Sequence, residues 1–136
     1  MGHISIGYKN PSVKINVEII KAMDLFLSIP AVLMDTEERR RTLYGQAGSF
    51  RNTPFGLEYR PLSNFWIFDD KLRQWAFRNA MQAVEFVMKG NTIDEELGKL
   101  LQDTINHSKK DEAVKLIEKY NLEVITNKEM VVVTTK

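Results

Sequence analysis

The chain has 136 residues, with 19 Lys plus Arg against 18 Asp plus Glu, two His, no Cys and a formal charge of +1. That length suits one domain, able to bury about 68–70% of its unfolded surface without covalent staples. The missing cysteine excludes a disulfide scaffold, a Cys-ligated zinc site and a thiol nucleophile, and 43% hydrophobic with 27% charged residues is a globular composition.

Residues 3–8 alternate and predict a short strand. Asn10-Pro11-Ser12 predicts a turn that caps a helix from Val13 to about Ile29, where Ile15, Ile19, Ala22, Met23, Phe26 and Leu27 recur at helical spacing. Pro30 is expected to end or kink that helix, because it has no N–H and disfavours helix at the residue before it. A second helix is expected from about Asp35-Thr36, with acids in its first turn and three arginines following, an order that suits the macrodipole. Gly45 to Asn64 holds three Gly and two Pro without a sustained period. It reads as an irregular connection of roughly 20 residues, a length that is usually functional or disordered, and its aromatic content argues for the former.

Asp69 or Asp70 should cap a long helix with Leu72, Trp75, Ala76, Ala80, Ala83, Val84 and Val87 as its apolar stripe and Gly90 as its stop. Thr92 with Glu95 and Ser108 with Asp111 resemble capping boxes, opening helices that run to about His107 and Tyr120. Leu122–Thr126 and Glu129–Thr135 flank Asn127-Lys128 and predict a terminal hairpin. The expected fold is α+β, a mainly helical single domain over 1–136 with a short N-terminal strand and a C-terminal β-hairpin. No apolar run approaches the ~20 residues that span a bilayer, and no signal-peptide pattern opens the chain. A soluble, cytoplasmic protein without a membrane partner is expected, in the host cytoplasm if the chain is viral.

The chemistry-bearing residues concentrate in one window. All seven arginines (Arg39, Arg40, Arg41, Arg51, Arg60, Arg73 and Arg78) lie between 39 and 78, a stretch of net charge +5, while residues 91–123 carry −3. Nine of the thirteen aromatics share that window, among them Tyr59, Phe65, Trp66 and Trp75. Arginine offers a planar fork that grips phosphate by two bonds, and aromatic faces stack on bases at ~1–3 kcal/mol each. The interleaving points to nucleic acid or a nucleotide-containing ligand. Two plainer readings stand beside it: rings packed inward with arginines as a solvated rim, or a protein-binding surface using Trp66, Trp75 and Arg73, since Trp, Tyr and Arg also anchor interfaces. His107, near a predicted helix end, suits a capping role. No histidine spacing fits a metal site, no Gly-rich phosphate loop is present, and Ser49 and Ser63 lack an evident base. Neither metal nor cofactor is expected.

Phe55-Gly56-Leu57-Glu58-Tyr59-Arg60-Pro61-Leu62-Ser63-Asn64-Phe65, followed by Gln82-Ala83 and Phe86, resembles the opening motifs of the NADAR (YbiA-like) family over about residues 50–90. The resemblance implies an N-glycosidase acting on ribosylated compounds or removing ADP-ribose from bases, with Tyr59, Arg60, Asn64 and Phe65 in its motif. The chain departs from the family where Arg78-Asn79 replace a Glu-His pair and Glu85 replaces a Lys. Cleaving a glycosidic bond needs a carboxylate near the anomeric carbon, so Glu58 or Glu85 would have to serve. The leading expectation is a protein that binds nucleic acid or a nucleotide or ADP-ribose-type anion through Arg39, Arg40, Arg41, Arg51, Tyr59, Arg60, Asn64, Phe65, Trp66, Arg73, Trp75 and Arg78. In style the chain is similar to small phage or viral accessory proteins. The alternatives are the N-glycosidase and an interaction or assembly protein using the same Trp/Arg surface.

Overall fold

A computed structural model describes residues 3–34, 47–62 and 69–125. Arg39, Arg40, Arg41, Asn64, Phe65, Trp66, the helix expected from residue 35 and most of the expected terminal hairpin lie outside those residues.

Among the described residues the chain runs β1 (Ile4–Gly7), α1 (Val13–Met23), a π-helical turn (Asp24–Ser28), α2 (Ile29–Met34), β2 (Phe50–Thr53), β3 (Gly56–Tyr59), α3 (Asp70–Met88), α4 (Glu95–Asn106) and α5 (Lys110–Tyr120). The α+β class is as expected, but the sheet is assembled differently. β1 and β2 both pair antiparallel with β3, in the order β1-β3-β2, and Leu122–Ile125 form no strand. The hairpin β2–β3 lies inside the stretch read as irregular. Thr53 pairs with Gly56, so Pro54-Phe55 make a two-residue turn between four-residue strands. Strands that short leave Pro and Gly dominating the composition, which hides the alternation from a periodicity reading.

Local chemistry explains the helix ends. Ser12 caps α1, its Oγ accepting the N–H of Ile15 at 3.1 Å. Asp69 caps α3, taking the N–H groups of Lys71 and Leu72, and Gly90 follows its end at φ +90°. Two caps differ from expectation. Asp94 rather than Thr92 opens α4, accepting from the N–H of Leu97 at 2.7 Å, and α5 begins from Lys109 without a side-chain cap. Pro30 does not end its helix. The N–H of Ile29 reaches back to the Asp24 carbonyl, one residue beyond the α-helical partner, and this widened turn lets the helix pass a residue that has no N–H to give.

The α1–π–α2 rod is apolar on nearly all sides because it is the centre of the molecule. One face joins Ile19, Met23 and Leu27 to Leu57 and Tyr59 of the sheet and to Trp75, Ala76, Ala80 and Ala83 of α3. The other joins Leu25, Ile29 and Val32 to Leu101, Ile105, Ala113 and Leu116 of α4 and α5. Phe26 and Phe86 border both clusters and meet edge to face, centroids 5.7 Å apart. Asn16 ties the rod to the hairpin, its Nδ2 donating to Asn52 Oδ1 and the Gly56 carbonyl, each at 2.8 Å. Among the described residues no helix is long and apolar enough to cross a membrane.

Candidate functional site

Side chains alternate across a strand, and β3 shows what this does to the arginine-rich window. Leu57 and Tyr59 point inward onto α1 and are fully buried. Glu58 points outward, opposite Arg51 of β2 and Ser5 of β1 in the register. Arg60, two residues on, emerges on the same side. The Glu58 carboxylate accepts from Arg60 Nε at 2.9 Å and from Arg51 at 3.4 Å, and His3 Nδ1 stands 3.6 Å away. The outer face therefore holds two guanidiniums bridged by one carboxylate, with an imidazole beside them.

The hydrogen bond from Arg60 is the main reason the Glu58 carboxyl sits below its ordinary range. Partial burial opposes it, and the charges of Arg51, Arg60 and His3 add to the lowering. Both oxygens of that carboxylate are taken up by guanidiniums, which argues against the place at an anomeric carbon expected for it. Its geometry instead holds two guanidinium groups side by side. Each guanidinium carries five donors, and Glu58 takes one nitrogen from each, so both keep donors for an incoming carboxylate or phosphate.

The other expected residues do not join this face. Tyr59 lies on the opposite side of the sheet, where its hydroxyl donates to Asp24 Oδ1 at 2.6 Å and bonds Ser28 Oγ in a buried network. Trp75 is fully buried, its Nε1 donating to the Glu123 carbonyl at 2.8 Å. Neither ring is a stacking face for a base, which corrects the expectation for both. Arg78 grips the Glu123 carboxylate from α3, and Arg73 pairs with Asp70 one turn back. Glu85 stands on the exposed face of α3, on a different element from Glu58. Glu123 is held below its ordinary range first by the Arg78 hydrogen bond, with one from Asn79 assisting against burial.

Sequence reasoning missed Asp24, Ser28 and Asn79 as polar groups of the core. Asp24 is 3% exposed, opens the π-helical turn and also receives the Gly48 N–H at 3.3 Å. Helical spacing does not mark it: nine residues, or about two and a half turns, separate it from Ile15, so it falls opposite the stripe, where a solvated carboxylate is expected. Asn79 Nδ2 donates to the Trp75 carbonyl and to Glu123 Oε1, each at 2.9 Å, while its Oδ1 has no hydrogen-bond partner among the described residues. His107 caps α4, its Nδ1 3.1 Å from Asp103 Oδ1. No cluster of three or more potential metal ligands occurs among the described residues.

Neither the comparison with curated proteins nor that with solved structures gives a match. The family comparison gives one, to a different family from that of the 55–65 motif and over far more of the chain. Residues 1–128 match the phage phiEco32-like COOH.NH2 ligase-type 2 family, and the chain belongs to it.

Proposed function

We propose that this chain serves in joining a carboxyl group to an amino group, with the outer face of its sheet holding the anionic group of that reaction. Membership of a family described as a COOH.NH2 ligase, across residues 1–128, carries the reading. Elementary chemistry states what such a reaction needs. A free carboxylate does not acylate an amine in water, so its oxygen must first become a leaving group. The carboxylate oxygen attacks the terminal phosphorus of a phosphoryl donor and expels the rest of that donor. The amine nitrogen then adds to the carbonyl carbon and loses a proton, and the phosphorylated oxygen departs as phosphate. Carboxylate, donor and acyl phosphate are all anions with paired oxygens, which is the shape two guanidiniums grip best.

Arg51 and Arg60 are the residues that fit this task, with Glu58 aligning them. The nucleotide-type anion expected from the arginine-rich window becomes the phosphoryl donor. A nucleic-acid reading retains only its phosphate-binding half, because Tyr59 and Trp75 are buried. The N-glycosidase reading has less support, since Glu58 is committed to two guanidiniums and Glu85 lies on another element.

The test uses ATP as donor, hydroxylamine as amine and a panel of amino-acid and dicarboxylic acids, scoring hydroxamate and phosphate release. Carboxylate-dependent hydroxamate should form, and fall at least tenfold in Arg51→Ala and in Arg60→Ala. Absence of hydroxamate across the panel overturns the ligase reading. Undiminished turnover in both variants overturns the site.

A further inference from the structure

The outer side of α3 carries a feature that the anion-binding face does not use. Phe77 and Met81 are each 57% exposed and Met88 51%, at positions that share one side of the helix. Arg78 and Glu85 flank them and border, with Phe77 and Met81, an open groove of about 650 Å³. Scattered exposed apolar residues need no explanation, but a contiguous stripe rimmed by charge does.

We propose that this face docks a second copy of the chain, with α3 lying antiparallel on its counterpart across a two-fold axis. The argument rests on self-complementarity. Arg78 and Glu85 are seven residues apart, two helical turns or about 10.5 Å along the axis. A two-fold axis perpendicular to α3, midway between them at Met81–Gln82, sets Arg78 opposite the partner's Glu85 and Glu85 opposite the partner's Arg78. The same operation brings Met81 against the partner's Met81 near the axis, and Phe77 within one turn of the partner's Met88. A parallel pair would instead set Arg78 and Glu85 level with the same residues of the partner on opposite edges of the contact, and form neither ion pair. Charge therefore selects one orientation, as flanking charges do in coiled coils. The hold of Arg78 on Glu123 uses Nε and one terminal nitrogen, which leaves the other terminal nitrogen as the donor for the incoming carboxylate. An isologous contact of this kind closes at two copies.

One helix pair over three turns is a small interface, so the dimer should be weak, with Kd on the order of 100 μM. Sedimentation velocity from 5 to about 500 μM should show a concentration-dependent shift from monomer to dimer. Glu85→Arg, which sets Arg against the partner's Arg78, should raise Kd at least tenfold. Because the chain has no cysteine, Met81→Cys gives an independent readout. Near the axis it should form a disulfide-linked dimer on mild oxidation, much faster than Lys115→Cys on the exposed side of α5. A protein monomeric throughout that range, a dimer indifferent to Glu85→Arg, or Met81→Cys cross-linking no faster than Lys115→Cys overturns the proposal.

Discussion

Tyr59→Phe removes one oxygen from the centre of the molecule and leaves the ring's shape unchanged. That oxygen donates to Asp24 Oδ1 at 2.6 Å and bonds Ser28 Oγ, and all three residues are 3% exposed or less. Water cannot replace the lost partner without opening the contact between the rod and the sheet. A buried polar group left short of a partner costs about 1–3 kcal/mol, whereas the isosteric ring keeps its packing. The expected loss is about 2 kcal/mol, or roughly 6–10 °C in Tm for a chain of this length. The arrangement also predicts coupling. Ser28→Ala alone should cost about 1 kcal/mol, but close to nothing in the Tyr59→Phe background, where its partner oxygen is already gone. Urea unfolding of the wild type, both single variants and the double variant gives the full cycle. A Tyr59→Phe loss below about 0.5 kcal/mol, or Ser28→Ala effects equal in both backgrounds, would refute the reasoning.

Gly56→Ala should detach β1 from the sheet, because a Cβ there would sit 2.1 Å from the Ile6 carbonyl oxygen, at a φ of +156°. Hydrogen exchange at Ile4–Gly7 should accelerate before exchange in α4 and α5 does, and unchanged protection of β1 would contradict the contact. Glu123→Gln should lower Tm at pH 7 and much less at pH 3. A carboxyl whose folded pKa lies below its ordinary 4.5 contributes stability above that value and loses it as pH falls through the folded pKa. A Tm gap that stays constant from pH 7 to pH 3 would refute that assignment. Glu58→Gln should bind triphosphate more tightly than wild type in 10 mM salt and less tightly in 500 mM. Removing a competing negative charge helps only while charges are unscreened, whereas losing the group that aligns Arg51 and Arg60 costs at every salt. A variant-to-wild-type affinity ratio independent of salt would mean that Glu58 does not align them.

The helices were legible because their signals are local. Ser12, Asp69 and Gly90 mark ends by chemistry that works within one turn, and the stripe of α3 repeats often enough to outweigh chance. Pro30 misled for the opposite reason. The rule that proline stops a helix assumes α-helical bonding, and the π-helical turn from Asp24 alters that bonding just before the ring. No residue between 24 and 28 announces a widened turn, since Asp24 falls opposite the stripe, where a polar residue is expected.

The candidate site was legible as a composition and not as a surface, and strand parity is the reason. The window from Arg39 to Arg78 contains Arg51, Glu58 and Arg60, but composition treats Tyr59 as their companion. In a strand, adjacent residues face opposite ways, so the contact that joins Glu58 to Arg51 commits Tyr59 to Asp24. Recognising the hairpin would have sorted these residues at once, because pairing Thr53 with Gly56 fixes Arg51 opposite Glu58 and sends both outward. The same parity puts Asn52, itself exposed, on the α1 side, where Asn16 donates to it, so the proposed anion-binding face and the face that anchors the rod are set by a single register. A one-residue slip of β3 against β2 would turn Glu58 and Arg60 towards the core and Leu57 and Tyr59 to solvent, leaving Arg51 outside. The buried Asn16, Asp24 and Ser28 contacts all select against that slip, and in doing so they keep the two guanidiniums on the solvent side.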